Sequence, residues 1–275
     1  MLTVVGYRFA DNGWMTTGLG LARRRNGDGG FGPVITGVSE PEATALMCLA
    51  FDDEPARSWL AQHQRDDGSL GLQVGTVFRD VTSVSALALG QGPERERALD
   101  HVVGLVGRNS TDPAVTRAGW PWTDGAHGWT EPTAWGLLAL RLFRPTQRDR
   151  IDDALAMFRE RECVGGGWNY GSRNVLGVDQ RPYVQTTALA LLALGDIEPD
   201  LSDRGTAELE RSWPAEADGL LSVATATCAL QMRGSRHAAK AGAALRRAAD
   251  RGTNDNVAFA WAAMAATGAG PWGAS

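Results

Sequence analysis

The chain has 275 residues, of which 43% are hydrophobic, and a net charge of −5 with a pI of about 5.4. This composition fits one large globular domain or two small ones. Its cations are nearly all arginine and form no basic block, which argues against nucleic acid as a partner. No apolar run approaches the roughly 18 residues that a membrane helix needs. Residues 1–13 lack the features of a secretion signal, so we expect a cytoplasmic protein without a membrane span.

The cysteines and histidines give no sign of a metal or redox centre. Cys48, Cys163 and Cys228 are scattered and odd in number, which disfavours a disulfide framework. The four histidines are isolated and lack metal-ligand spacing. We therefore expect no metal, no cofactor and a reducing compartment.

Six polar helices are predicted along the chain, with apolar residues at helical spacing and charged residues on the remaining faces. Prolines at or just before several of their starts are typical of a first helical turn. The predicted ranges are 14–25, 54–64, 94–106, 147–162, 201–213 and 236–251.

Six Ala/Leu-rich segments alternate with these polar helices and start 34 to 54 residues apart. Self-similarity at such a period is the mark of a repeat architecture. The segment at 189–194 is apolar all round, which predicts an enclosed helix. The segments begin at Thr44, Ser85, Thr133, Thr187, Thr225 and Phe259.

The order of polar helix, glycine-rich turn and apolar helix, repeated six times, predicts an all-α fold. We expect one domain over 1–275, an (α/α)6 barrel with six outer and six inner helices. Short links from each inner helix to the next outer one favour antiparallel neighbours. The long Gly- and Trp-rich turns lead to the amino ends of the inner helices, where a central cavity should open.

The turns resemble the repeat of the prenyltransferase and squalene-oxidase family, whose members are α/α toroids. That repeat has a Gln after an outer helix, and then a Gly two residues before an aromatic residue. Segment 59–70 is similar, with Leu70 in the aromatic position, and further copies lie at 162–168 and 25–31. The resemblance covers most of the chain and implies the toroid, but toroids host different chemistries.

Two enzyme classes of that family have recognisable residue patterns. Zinc prenyltransferases use an Asp-x-Cys pair, which this sequence lacks. Protonation-initiated terpene cyclases carry Asp-x-Asp-Asp-Thr-Ala at an inner helix start, and the middle Asp is the acid. No intact copy occurs here. Glu131 takes the acid's position when the Thr-Ala pairs are aligned, Glu42 has the same form, and Asp80 matches only the first Asp.

Glu131 is our first candidate for a catalytic acid and Asp80 our second. Each also fits a purely structural role, because a carboxylate near a helix start is stabilised by the helix dipole. The dipole favours the charged form, whereas a proton donor must be neutral. Only burial against apolar walls or a second carboxylate can raise the pKa enough, and Trp129 and Trp135 flank Glu131.

Aromatic residues cluster in the third and fourth repeats and are candidates for binding a substrate. Aromatic faces can stabilise carbocations by about 0.5–2 kcal/mol each, or stack on sugars and aromatic ligands. Several tryptophans, such as Trp168, fit better as packing residues of the repeat. The predicted substrate-binding residues are Trp122, Trp129, Trp135, Tyr170, Tyr183 and Gln185, where Gln185 puts an amide at the acid's position in its repeat.

The resemblance implies a terpene-cyclase-like enzyme that acts on an apolar or polycyclic small molecule by acid-initiated cyclisation or isomerisation. Two-domain cyclases place their cavity between two barrels. A single barrel has a small pocket or borrows it from a partner, either a second copy or another domain. One alternative is a non-catalytic binding or scaffold protein, favoured by the missing Asp pair. Another is a carbohydrate-active six-hairpin barrel with stacking tryptophans and paired carboxylates.

Overall fold

The computed structural model of the protein describes residues 18–108 and 118–273. The expectation that 1–13 is not a secretion signal concerns residues outside these ranges. The first part of the helix predicted at 14–25 also lies outside them, and its described part is helical over Gly18–Ala22.

Helices of two kinds alternate along the described chain, as the sequence predicts. The odd-numbered helices from α3 to α11 bury one face only: α9, for example, buries Leu201, Ser202, Gly205, Glu208 and Leu209 among its 14 residues. These helices are α1 (Gly18–Ala22), α3 (Glu54–Gln62), α5 (Pro93–Gly104), α7 (Arg148–Arg161), α9 (Pro199–Ser212) and α11 (Ala238–Asp250).

The even-numbered helices are buried almost all round, because small and apolar residues occupy every face. In α8 every residue except Gln185 is buried. These helices are α2 (Pro41–Phe51), α4 (Thr82–Ala88), α6 (Thr130–Phe143), α8 (Val184–Leu194), α10 (Leu220–Met232) and α12 (Asn256–Thr267). Two short 3-10 helices span Trp213–Glu216 and Pro271–Gly273.

The even-numbered helices contact one another in a closed series. Each contacts the next even-numbered helix along the chain, and α12 contacts α2. Each odd-numbered helix from α3 to α11 contacts the even-numbered helix that precedes it. The apolar helices therefore share one hydrophobic core, which runs from Phe31 to Met264 and Ala265.

Two β-hairpins interrupt the predicted all-α pattern. β1 (Gly71–Val74) pairs with β2 (Val77–Asp80), and β3 (Asn174–Val175) pairs with β4 (Val178–Asp179), both antiparallel. The second hairpin turns through Leu176 and Gly177, both at positive φ, a geometry that matches the twist of paired strands. Strands of four and two residues are too short for alternation to be detected, so sequence analysis expected only loops here.

A threonine hydroxyl ties four of the apolar helices to the turn that precedes them. In each case the hydroxyl oxygen accepts a hydrogen bond from the backbone N–H of a buried residue in the turn. The pairs are Phe31 with Thr44 (3.0 Å), Leu70 with Thr82 (2.8 Å), Trp120 with Thr133 (2.9 Å) and Trp168 with Thr187 (3.0 Å).

The second repeat departs from the others in the position of this threonine. Thr44, Thr133 and Thr187 are each the fourth residue of their helix, and Ser85 holds that place in α4. Ser85 donates to the Val81 carbonyl instead, and Thr82, the first residue of α4, serves the turn. Ser85 therefore occupies the same helix position as these three threonines of the other repeats, although its hydroxyl has a different partner.

We predict that Thr187→Val lowers the free energy of unfolding by about 1–3 kcal/mol. The substitution keeps the volume but leaves the buried N–H of Trp168 without its acceptor. Urea unfolding measures the loss.

Thr227→Val is the matched control, because Thr227 is equally buried but its hydroxyl only donates to the Val223 carbonyl of its own helix. It should change stability little. Equal losses in the two variants would show that the hydroxyl-to-turn bond has no special role.

Candidate functional site

A cavity of about 60 Å³, called the inner cavity here, lies where five apolar helices begin. Its walls come from the second and sixth residues of these helices, which lie one turn apart on the same face. The second residues are Glu42, Glu131, Gln185, Leu221 and Val257, and the sixth are Leu46, Trp135, Leu189, Thr225 and Trp261. Tyr170 and Thr186 complete the lining.

Glu131 is the ionisable group whose protonation this cavity alters most clearly. Burial raises its pKa from 4.5 to about 7, the negative charge of Glu42 adds to the rise, and Arg79 opposes it. The surrounding walls outweigh the helix dipole, which would favour the charged form. Glu131 therefore exchanges a proton near neutral pH, which is where an acid–base catalyst works best.

Arg79 forms an ion pair with Glu42 and acts on Glu131 through its charge alone. Its guanidinium donates to the Glu42 carboxylate at 2.7 Å, and its other face covers the Trp122 ring at 4.3 Å. Burial also raises the pKa of Glu40, again with a contribution from Glu42. The side chain of Glu42 is thus ion-paired, whereas that of Glu131 has a pKa of about 7, and neighbouring carboxyl groups in such different environments can take different roles.

Aromatic rings form one side of the inner cavity. The rings of Trp135 and Trp261 are 5.9 Å apart, and Trp272 stacks on Trp261 at 5.4 Å. Tyr170 lies close enough to Glu131 for that carboxylate to contribute to the raised pKa of its phenol, after burial. The cavity that Glu131 lines therefore has π-faces that can stabilise a positive charge.

A second, larger cavity of about 390 Å³, called the outer cavity here, shares Tyr170 with the inner one. Trp129, which is 41% exposed, and Tyr183 belong to its walls. The rings of Tyr170 and Tyr183 are 5.1 Å apart. Arg161 also lines this cavity.

The predicted site residues other than Asp80 divide among three environments. Glu131, Trp135, Tyr170 and Gln185 meet in the inner cavity. Trp129 and Tyr183 line the outer cavity with Tyr170. Trp122 lies beneath Arg79 and lines neither cavity.

Asp80 lies away from both cavities and bonds to His101. Its Oδ2 is 2.7 Å from Nε2 of His101, and its Oδ1 accepts from the N–H of Thr82. Burial lowers the pKa of His101, but the bond to Asp80 more than offsets this, so the net pKa is raised. Asp80 precedes α4 by two residues, and Ser83 takes the place that Glu131 holds in α6.

Sequence reasoning did not select Glu42, Arg79 or Trp261 for the site. The signal for Glu42 was present, since it precedes its Thr-Ala pair at the same spacing as Glu131. Trp261 lies in the last Ala-rich segment at the position equivalent to Trp135. Arg79 gave no signal, because it belongs to the unforeseen strand β2.

No group of three or more His, Cys, Asp or Glu side chains in the described ranges is arranged to hold a metal ion. None of the described helices is long and apolar enough to cross a membrane. Comparison with known proteins finds neither a matching protein-family model nor a curated protein of detectably similar sequence.

We predict that Glu131 makes the stability of the protein fall as the pH rises. Its folded pKa lies above the unfolded value, so its contribution is complete below about pH 4.5 and is lost as pH rises through 7. Glu131→Gln is neutral at every pH. Between about pH 4.5 and 8.5 it should gain on the order of 2–3 kcal/mol relative to the unmodified protein.

Urea unfolding across this pH range gives the difference directly, since the remaining groups titrate alike in both proteins. The exposed Asp66→Asn is the control and should leave the pH dependence unchanged. A stability difference between E131Q and the unmodified protein that does not vary with pH would contradict a raised pKa at Glu131.

Proposed function

We propose that the helices form a six-hairpin α/α toroid, with the even-numbered helices inside and the odd-numbered ones outside. The closed series of contacts from α2 through α12 and back supports this arrangement. The alternation of fully buried and one-sided helices supports it too. In this architecture the inner cavity occupies one end of the ring, at the amino ends of the inner helices.

We infer that the protein is a terpene-cyclase-like proton-transfer enzyme that acts on an apolar small molecule, with Glu131 as the acid. The observation that carries the proposal is the place of Glu131 beside Glu42 in a cavity walled by tryptophans, where burial raises the pKa of Glu131 to about 7. A carboxyl group with a pKa of about 7 is neutral in about half the molecules at neutral pH. Such a group can both give and take a proton.

Isomerisation needs one group that first gives a proton and then removes another, which a carboxyl group with a pKa of about 7 can do. Glu131 gives its proton to one carbon of a double bond, and the π-electrons form the new C–H bond. The adjacent carbon becomes cationic and is stabilised by the rings of Trp135 and Trp261. The Glu131 carboxylate then removes a different proton, a shifted double bond forms, and the acid is restored.

The size of the inner cavity restricts what reacts there. A water needs roughly 10–15 Å³ measured in this way, so 60 Å³ holds only the reacting end of a ligand. A hexose would not fit between Glu42 and Glu131, which disfavours the carbohydrate alternative. The same small volume favours the non-catalytic alternative, in which the repeat serves only as a scaffold.

We predict that the protein incorporates deuterium from D2O into carbon positions of C5–C15 isoprenoid alcohols, aldehydes or acids. Mass spectrometry of the recovered compounds detects the label. Glu131→Gln should reduce incorporation about 10²- to 10⁴-fold, the usual contribution of a general acid. Asp66→Asn serves as the surface control.

Glu42→Gln gives a second, graded readout. The change removes the nearby negative charge and frees Arg79, and both effects lower the pKa of Glu131. The alkaline limb of the pH profile should therefore move to lower pH. Incorporation by E131Q at the unmodified rate would refute the assignment of the acid, and no label with any compound would favour the scaffold alternative.

A further inference from the structure

Arg161, the last residue of α7, is a buried cation whose charge has little compensation. It is 6% exposed and lines the outer cavity. Its Nη1 donates to the Gly128 carbonyl at 2.6 Å, while its Nε is buried without a partner. Glu160 attracts it at longer range, but no carboxylate of the described residues lies within 4.0 Å of its guanidinium nitrogens. A buried guanidinium without a counterion is costly to the fold.

The first repeat of the same chain contains the equivalent arginine with its hydrogen bonds made. Arg24 lies two residues before Asn26, and Arg161 lies two residues before Cys163. In both repeats the backbone N–H of that later residue closes an equivalent tight turn. Arg24 is also 6% exposed, but it donates to the Asn256 side chain at 2.9 Å and to the Thr253 carbonyl at 2.6 Å. Asp255 adds a favourable charge. Protein groups can therefore supply two acceptors at this position, whereas among the described residues Arg161 has only the Gly128 carbonyl.

The outer cavity supplies apolar walls beside this cation. The rings of Trp129, Tyr170 and Tyr183 line it, and the Arg181 guanidinium lies 5.5 Å from the centre of the Tyr183 ring. Its volume of about 390 Å³ is within the usual range for small-molecule sites. Aromatic walls with a buried guanidinium suit a molecule that has an apolar body and an anionic end.

We propose that the outer cavity binds a small apolar carboxylic acid, whose carboxylate pairs with Arg161. A monoanion matches the single buried charge, whereas a phosphate monoester brings close to two negative charges at neutral pH. The planar guanidinium also suits the planar carboxylate. The body of the ligand lies against Trp129, Tyr170 and Tyr183.

The shared wall at Tyr170 gives this site a role in the reaction, and this step rests on the proposed function. Tyr170 lines both cavities. A ligand whose carboxylate is held at Arg161 therefore extends past Tyr170 towards Glu131. The substrate class of the enzyme is then an unsaturated isoprenoid acid, whose double bond reaches the inner cavity.

The test compares the binding of geranic acid with that of its neutral methyl ester, by calorimetry at about pH 7.5. We expect the protein to bind the acid at least tenfold more tightly than the ester. Arg161→Gln should abolish that preference, and Arg161→Lys should keep part of it because the charge remains. Arg148→Gln, an exposed change at the start of the same helix, is the matched control and should bind as the unmodified protein does.

Trp129→Ala tests the apolar wall without touching the charge. It should weaken acid and ester alike and keep the preference for the acid, so it remains informative if R161Q fails to fold. Equal binding of acid and ester by the unmodified protein, binding of neither, or an acid preference that survives R161Q would each overturn the proposal.

The binding result separates this proposal from the proposed catalysis. Binding of geranic acid and deuterium incorporation are separate readouts in the unmodified protein, because Arg161 lines the outer cavity and Glu131 lines the inner one. Tight binding without deuterium incorporation would refute the proton transfer and leave the acid site standing. Deuterium incorporation into neutral compounds without tighter binding of the acid would refute the acid site and leave the proton transfer standing.

Discussion

The hydrogen bond from a turn N–H to a threonine hydroxyl is the constraint on which the candidate site depends. It fixes the buried residue of each turn, such as Trp120 or Trp168, against the first turns of the following helix. A second bond joins the backbone N–H just before each of these helices to the carbonyl of the same buried residue, as from Trp129 to Trp120. Together they set where the helix begins and hence which residues are its second and sixth.

That register determines the chemistry of the inner cavity. Because the second residues of five helices face one space, two carboxylates that are far apart in sequence, Glu42 and Glu131, are brought together. Arg79 reaches Glu42 from β2 and leaves Glu131 in apolar surroundings. The pKa of Glu131 thus rises through burial and the like charge of Glu42, which together outweigh the opposing charge of Arg79. This arrangement lowers the free energy of unfolding, and strongly perturbed pKa values of this kind are found most often at functional sites.

Much of the helical pattern could be predicted from the sequence, because apolar spacing and glycine-rich turns repeat six times. The predicted helix at 147–162 differs from α7 by one residue at each end. Glu131, Trp135 and Gln185 were also predictable, since they lie in the first two turns of helices that the pattern marks, and Tyr170 lies in a glycine-rich turn that leads to such a helix. Asp80 was ranked second through a motif match, but its offset of two residues from the start of α4 directs it to His101.

The remaining features depend on contacts between residues far apart in the sequence, which a local sequence pattern cannot predict. Arg79 acts through a two-stranded hairpin too short to show periodicity, and it pairs with Glu42, 37 residues away. The contrast between Arg24 and Arg161 has the same origin. Asn256, 232 residues away in sequence, accepts a hydrogen bond from Arg24, and no side chain of the described residues does the same for Arg161.

The protonation of Glu131 is the central claim, and a carbon-13 NMR titration of the glutamate side-chain carboxyl carbons tests it most directly. The spectrum of Glu131→Gln assigns the resonance by its absence. The account predicts that this resonance titrates at about pH 7. Titration at or below pH 4.5, the ordinary pKa of a glutamate, would show that Glu131 is an ordinary helix-start carboxylate. The proposed proton transfer would then lose its basis.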